Sequence, residues 1–184
     1  MQKLFAICLT ILMFLTTPVT AMAKSGWDGK AVITLRDGQP CFSYPQDEEI
    51  RKRSYSFDYL AVTKAGPQGG VGGWVIQLAS YDNKIQIEPN SPESCIRYGV
   101  LPPGAEEVNP VKPLELNTPY RAYLSVSADS AGEQRYASDF CLTRDTKGLT
   151  ILVGVGWDNN AYEPHCLKPG ESPKRSFWQK LFGK

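Results

Sequence analysis

His165 is the single histidine of the 184-residue chain and stands beside Cys166 in the run Glu163-Pro164-His165-Cys166. An imidazole next to a thiol is a pairing that could draw off a proton and leave a nucleophilic thiolate. Adjacent side chains on an extended backbone, however, point to opposite faces, and a cysteine held in a disulfide is no nucleophile. The pair therefore reads as structural. Gly66-Pro67-Gln68-Gly69-Gly70-Val71-Gly72-Gly73 invites comparison with a phosphate-binding loop, but Trp74-Val75 follows where Lys-Ser/Thr is required. It reads as a hairpin loop. Asp47-Glu48-Glu49 and Glu106-Glu107 offer carboxylates that could act as acid and base in glycoside hydrolysis. The first group abuts Arg51-Lys52-Arg53 and reads as a solvated, self-compensating turn. The second sits in a proline-rich stretch with no shielding pocket to shift a pKa. Neither G-x-S-x-G nor H-E-x-x-H occurs. These residues predict no catalytic, cofactor-binding or metal-binding site and no enzyme. A secreted enzyme of unfamiliar type, centred on His165, is the weaker alternative.

The ends of the chain explain the setting. MQKLFAICLTILMFLTTPVTAMAKS places Lys3 before an apolar run from Leu4 to Leu15, then small residues ending in Ala21-Met22-Ala23. This is the pattern of a secretory signal peptide cut after Ala23, since the run is too short to span a bilayer, which takes about 20 residues. The mature chain, residues 24–184, then carries 19 cations and 19 acids and is expected to be exported and periplasmic. Its body, 24–171, is acidic by four charges, which argues against nucleic acid as a partner. Four cysteines remain, Cys41, Cys95, Cys141 and Cys166. An even count in an exported chain reads as two disulfides. Three pairings are open, with Cys41–Cys95 and Cys141–Cys166 preferred.

The elements that must position these residues read as strands. Ala31-Val32-Ile33-Thr34-Leu35 and Cys41-Phe42-Ser43-Tyr44 flank Asp37-Gly38, a strong hairpin signal. Ser54 to Thr63 alternates at Tyr55, Phe57, Tyr59 and Ala61; Trp74 to Leu78, Lys84 to Ile87, Tyr120 to Val126, Tyr136 to Thr143 and Leu149 to Val153 follow. Seven or eight short strands predict an all-β fold, an antiparallel β-sandwich. Leu114-Glu115-Leu116-Asn117-Thr118-Pro119-Tyr120 resembles the tyrosine corner of immunoglobulin and fibronectin-III-like domains, in which the hydroxyl bonds back to upstream backbone. Leu101 to Pro113 reads as an extended surface loop carrying Glu106 and Glu107.

Residues 172–184 form a separate basic and aromatic tail. On a short C-terminal amphipathic helix, Phe177, Trp178, Leu181 and Phe182 share one face, while Lys174, Arg175 and Lys180 supply the polar side. Such a tail is expected to touch an anionic membrane surface or a partner.

Taken together, Gln39-Pro40-Cys41-Phe42, Cys95-Ile96-Arg97-Tyr98-Gly99, Pro113-Leu114 with Asn117 and Tyr120, and Tyr136-Ala137-Ser138-Asp139-Phe140-Cys141-Leu142 resemble the periplasmic immunity protein family of bacterial type VI secretion systems. The resemblance spans roughly residues 31–142. Many members of that family carry a lipidated cysteine at the cleavage site, where Ala23-Lys24 stands here. The resemblance implies a periplasmic inhibitor that needs no cofactor and neutralises a secreted toxin by direct binding. Tyr98, Pro102, Pro103, Glu106 and Glu107 are the expected partner contacts. The rival reading is an Ig-like structural or adhesion module of an envelope assembly.

Overall fold

The computed structural model describes residues 29–46, 55–66, 72–80, 89–128, 132–158 and 163–172. The expected signal peptide (1–23), the charged turn 47–53, the Lys84–Ile87 strand, most of the glycine-rich loop and the tail residues Lys174, Arg175, Phe177, Trp178, Lys180, Leu181 and Phe182 lie outside them. The described residues are all-β and antiparallel and contain no helix.

The first sheet forms from the Asp37-Gly38 turn. Both residues take positive φ, 52° and 75°, as a two-residue hairpin turn requires. The turn joins β1 (Val32–Arg36) to β2 (Gln39–Ser43), and the two-residue β5 (Ile96–Arg97) pairs with the far side of β2. With the register set by the turn, Ile33 lies opposite Phe42 and Leu35 opposite Pro40, so their side chains share one face.

The second sheet is six-stranded, in the order β6–β4–β3–β7–β8–β9. Its members are β3 (Ser56–Lys64), β4 (Trp74–Leu78), β6 (Ala105–Asn109), β7 (Tyr120–Ala128), β8 (Gly132–Arg144) and β9 (Thr150–Val153). Ile76, Leu60, Leu124 and Tyr136 are successive register partners and form one apolar row across four strands. The inner face of the three-stranded sheet packs on this row and its neighbours. Phe42 meets Phe140 edge-on with ring centroids 5.8 Å apart, Tyr44 stacks on Tyr136 at 5.7 Å, and Tyr98 meets Trp74 at 5.0 Å. Each aliphatic or aromatic side chain fully buried here contributes about 1.5–3 kcal/mol.

The alternation read from Tyr55, Phe57, Tyr59 and Ala61 breaks at one residue. Phe57 pairs with Val126 and Tyr59 with Ser125, so Asp58 is the extra residue of a β-bulge. Beyond it the phase reverses. Leu60 and Val62 turn to the core, while Tyr59 is 37% exposed on the outer face. The proline-rich stretch also differs from expectation. Ala105–Asn109 is no loop but the edge strand β6, paired with β4.

A third layer covers part of the outer face. β10 (Val155–Trp157) and β11 (Pro164–Cys166) form a small hairpin, tied to β8 by the Cys141–Cys166 disulfide. The indole N–H of Trp157 donates to Asp139 Oδ2 at 3.0 Å. Arg121 lies 5.1 Å from the Trp157 ring and donates to both Asp139 oxygens. Gly156 and Trp157 thus belong to a strand that the Trp157 indole anchors. The other disulfide is Cys41–Cys95. Both pairings match the preferred connectivity and suit an oxidising, extracytoplasmic environment. Among the described residues no helix is long and apolar enough to cross a membrane.

Candidate functional site

One end of the molecule is built around residues 110–116. Pro110 and Pro113 lack the N–H a ladder needs, and this segment crosses the end of the two sheets as a strap outside any strand. Its anchors come from four elements. The Tyr98 hydroxyl, just after β5, donates to the Lys112 carbonyl at 2.8 Å. Burial pushes the Tyr98 phenol up to about 12, so it remains a donor throughout the neutral range. Glu107 on β6 accepts the Val111 N–H at 3.0 Å and the Trp74 indole N–H at 2.9 Å. The Tyr120 hydroxyl at the start of β7 accepts the Glu115 N–H at 2.9 Å, the back-bond expected of the tyrosine. Lys64 and Glu115 form an ion pair at 2.9 Å, and each raises the other's preference for its charged form. Asn117, at φ 57°, turns the chain into β7; its N–H donates to the Leu142 carbonyl at 2.7 Å, and its side-chain oxygen accepts from Thr143 at 2.8 Å.

Two depressions flank the strap. One, of about 410 Å³, is lined by Trp74, Tyr98, Leu114, Tyr120 and the Gly72-Gly73 backbone. Gly73 is required there, because a Cβ would sit 2.1 Å from the Val62 carbonyl oxygen. The other, of about 590 Å³, has a floor of Tyr98, Leu114, Leu116 and Leu142. Of its lining residues, Val111 (43%) and Leu116 (40%) are exposed, and the exposed Val100 and Leu149 follow and precede the lining residues Gly99 and Thr150 in sequence. Clustered apolar side chains of this kind mark contact surfaces.

Of the expected partner residues, Tyr98 and Glu107 reach the strap, whereas Pro102, Pro103 and Glu106 lie towards the opposite end of β6. Tyr98 is buried and anchors the strap from below. Pro103 is exposed and Pro102 half-buried, in the turn before β6. Glu106 accepts from Gln77 Nε2 at 2.6 Å and Glu107 holds the strap, so both carboxylates have internal partners. The leucines and valines around the second depression were not singled out by sequence. The available signal was Val111 between two prolines, an apolar residue that cannot be buried in a ladder.

A third depression, about 360 Å³, lies on the outer sheet face among Asp58, Tyr59, Gln77, Ser125, Ser127 and Glu133. Ser127 donates to Asp58 at 2.8 Å and Ser125 to Glu133 at 2.9 Å. Burial raises the Asp58 carboxyl above its ordinary value of 3.8; the Ser127 bond opposes this and the Glu133 charge adds to it. A folded-state pKa above the unfolded one favours the native state at low pH, and that contribution is lost as pH rises through the folded value. Asp58→Asn, which keeps an acceptor for Ser127, is therefore expected to raise the melting temperature at pH 7. The gain should shrink as pH falls towards the ordinary carboxyl value, which a melting series against pH will check.

His165 is exposed and packs against Gly156, with Cys166 consumed by its disulfide. Among the described residues no group of three or more histidine, cysteine or carboxylate side chains could hold a metal ion. No family model matches the chain, and neither curated proteins nor solved structures include a significant match to it.

Proposed function

We propose that this chain is an exported, periplasmic binding protein of the immunity type, which neutralises a type VI secretion toxin by capping it rather than by catalysis. The observation that carries the reading is the apolar end surface: the exposed Val111 and Leu116, together with Leu114 and Leu142, line a depression on a disulfide-tied scaffold. Loops carried by rigid sheets are where recognition residues concentrate, and an interface of about 1,600 Å² is typical for such a cap. We read the scaffold as an Ig-like β-sandwich, supported by the Tyr120 hydroxyl bonded back to Glu115. Residues 1–23 act as the export signal, and the basic aromatic tail holds the inhibitor near an anionic membrane surface.

A second reading, an envelope-assembly module, draws on the sheet order, which among the described residues ends at β6 on one side and β9 on the other. Free edges permit strand addition from another chain.

The test is protection. The mature chain, exported with its disulfides formed, is used to retain secreted effectors of its own organism, and each retained effector is then expressed in the periplasm. Co-expression of the wild type is expected to restore growth, whereas a folded Val111→Asp/Leu116→Asp variant is expected to lose protection. Undiminished protection by that variant would remove the end surface from the account. Retention of envelope subunits without any toxic effector would favour the assembly module.

A further inference from the structure

The depression beside the strap has a charge pattern that specifies more than an apolar contact. Of the charged side chains lining the two depressions that flank the strap, Lys64 and Glu115 compensate each other in their ion pair. Lys112 and Arg144 remain, each exposed and without a carboxylate partner among the described residues. Arg144 spends one N–H on the Gly148 carbonyl at 2.7 Å, which orients its guanidinium beside the larger depression and leaves its other donors available. Lys112 contributes to the walls of both depressions from the strap between them. The floor of the larger one is aliphatic and aromatic, and its lining contains no acid.

We propose that the 590 Å³ groove binds an acidic, aliphatic peptide segment of the partner protein, with apolar side chains seated on Leu114, Leu116 and Leu142 and carboxylates facing Arg144 and Lys112. This rests on the binding function proposed above and specifies the partner's chemistry. A peptide suits the groove better than an acyl chain because Thr150 in its lining opens β9, which ends the sheet order among the described residues. Peptide groups can pair with such an edge and hydrocarbon cannot.

The experiment uses the disulfide-bonded mature chain and end-blocked peptides that share one leucine- and phenylalanine-bearing core, flanked by glutamates, glutamines or lysines. Amide chemical shifts are followed on titration. The glutamate peptide is expected to shift Gly99, Leu116, Leu142 and Thr150 and to bind roughly ten-fold more tightly than the glutamine peptide, since two exposed charge pairs add up to about that factor. The preference should fade with added salt. Lys112→Gln/Arg144→Gln should erase it without weakening the glutamine peptide, whereas Leu116→Ala should weaken all three. The proposal is overturned if the lysine peptide binds as tightly, if the shifts map elsewhere, or if anionic vesicles move the groove resonances more than the glutamate peptide does. Toxin protection without peptide binding in the groove removes only this assignment. Peptide binding in the groove by a protein that protects against no toxin supports it and removes the immunity reading.

Discussion

Replacing Phe42 by alanine is expected to lower the unfolding free energy by about 3–5 kcal/mol. Phe42 is fully buried on β2 and its ring packs edge-on against Phe140 of β8, so it joins the two sheets. Its register partners Ile33 and Ile96 hold it from both sides within its own sheet. Truncation removes the contact of both layers with one side chain, and close-packed neighbours on sheet backbones relax only in part. Domains of this size have net stabilities of about 5–15 kcal/mol, so the variant should sit near the edge of folding. Urea unfolding should show a lower midpoint with an unchanged slope. Phe42→Leu, which keeps most of the volume, should cost much less. Equal losses for the two substitutions would mean that the sheets do not meet at Phe42.

The second large effect belongs to the Cys41–Cys95 disulfide. It joins residues 54 apart, and closing a loop of that length stabilises by about 4.2 kcal/mol in the chain-entropy model, against about 3.5 kcal/mol for the 25-residue separation of Cys141–Cys166. Cys41→Ala/Cys95→Ala should therefore be the more damaging pair in a denaturant titration. Its effect should also reach the candidate site. Strand β5 has only two residues, Ile96 and Arg97, and β5 delivers Tyr98 to the Lys112 carbonyl. Loss of the bond should loosen the strap and weaken partner binding. Removal of Cys141 and Cys166 should instead free the β10–β11 hairpin and leave the strap in place. Equal effects of the two pairs on partner binding would contradict this division.

Much of the scaffold was legible because its signals are local. Asp37-Gly38 specifies a turn of positive φ, and the hairpin follows from it. Trp74 to Leu78 is a largely apolar run that follows Gly72-Gly73, and it forms β4 with those limits. Tyr120 announced its back-bond to the Glu115 amide. The failures have equally physical causes. The bulge at Asp58 reverses the inward face of β3, and no period-two pattern can anticipate an inserted residue. Strand β6 hid inside a proline-rich stretch, because Glu106 and Glu107 are poor strand formers and the pairing comes from β4. The candidate site was legible only in outline. Its anchors join positions up to 51 residues apart, as in the Lys64–Glu115 ion pair. Its exposed leucines and valines look like ordinary core residues until the strap excludes them from both sheets.

Capping of a protein partner by the end surface around the strap is to be followed by hydrogen exchange of the mature chain, alone and in a stoichiometric complex with the partner it retains. New protection is expected at the strap, at Gly99 and at Thr150, with the outer face around Asp58 and Tyr59 unchanged. Protection centred on that outer face, with the strap exchanging as in the free protein, would contradict it.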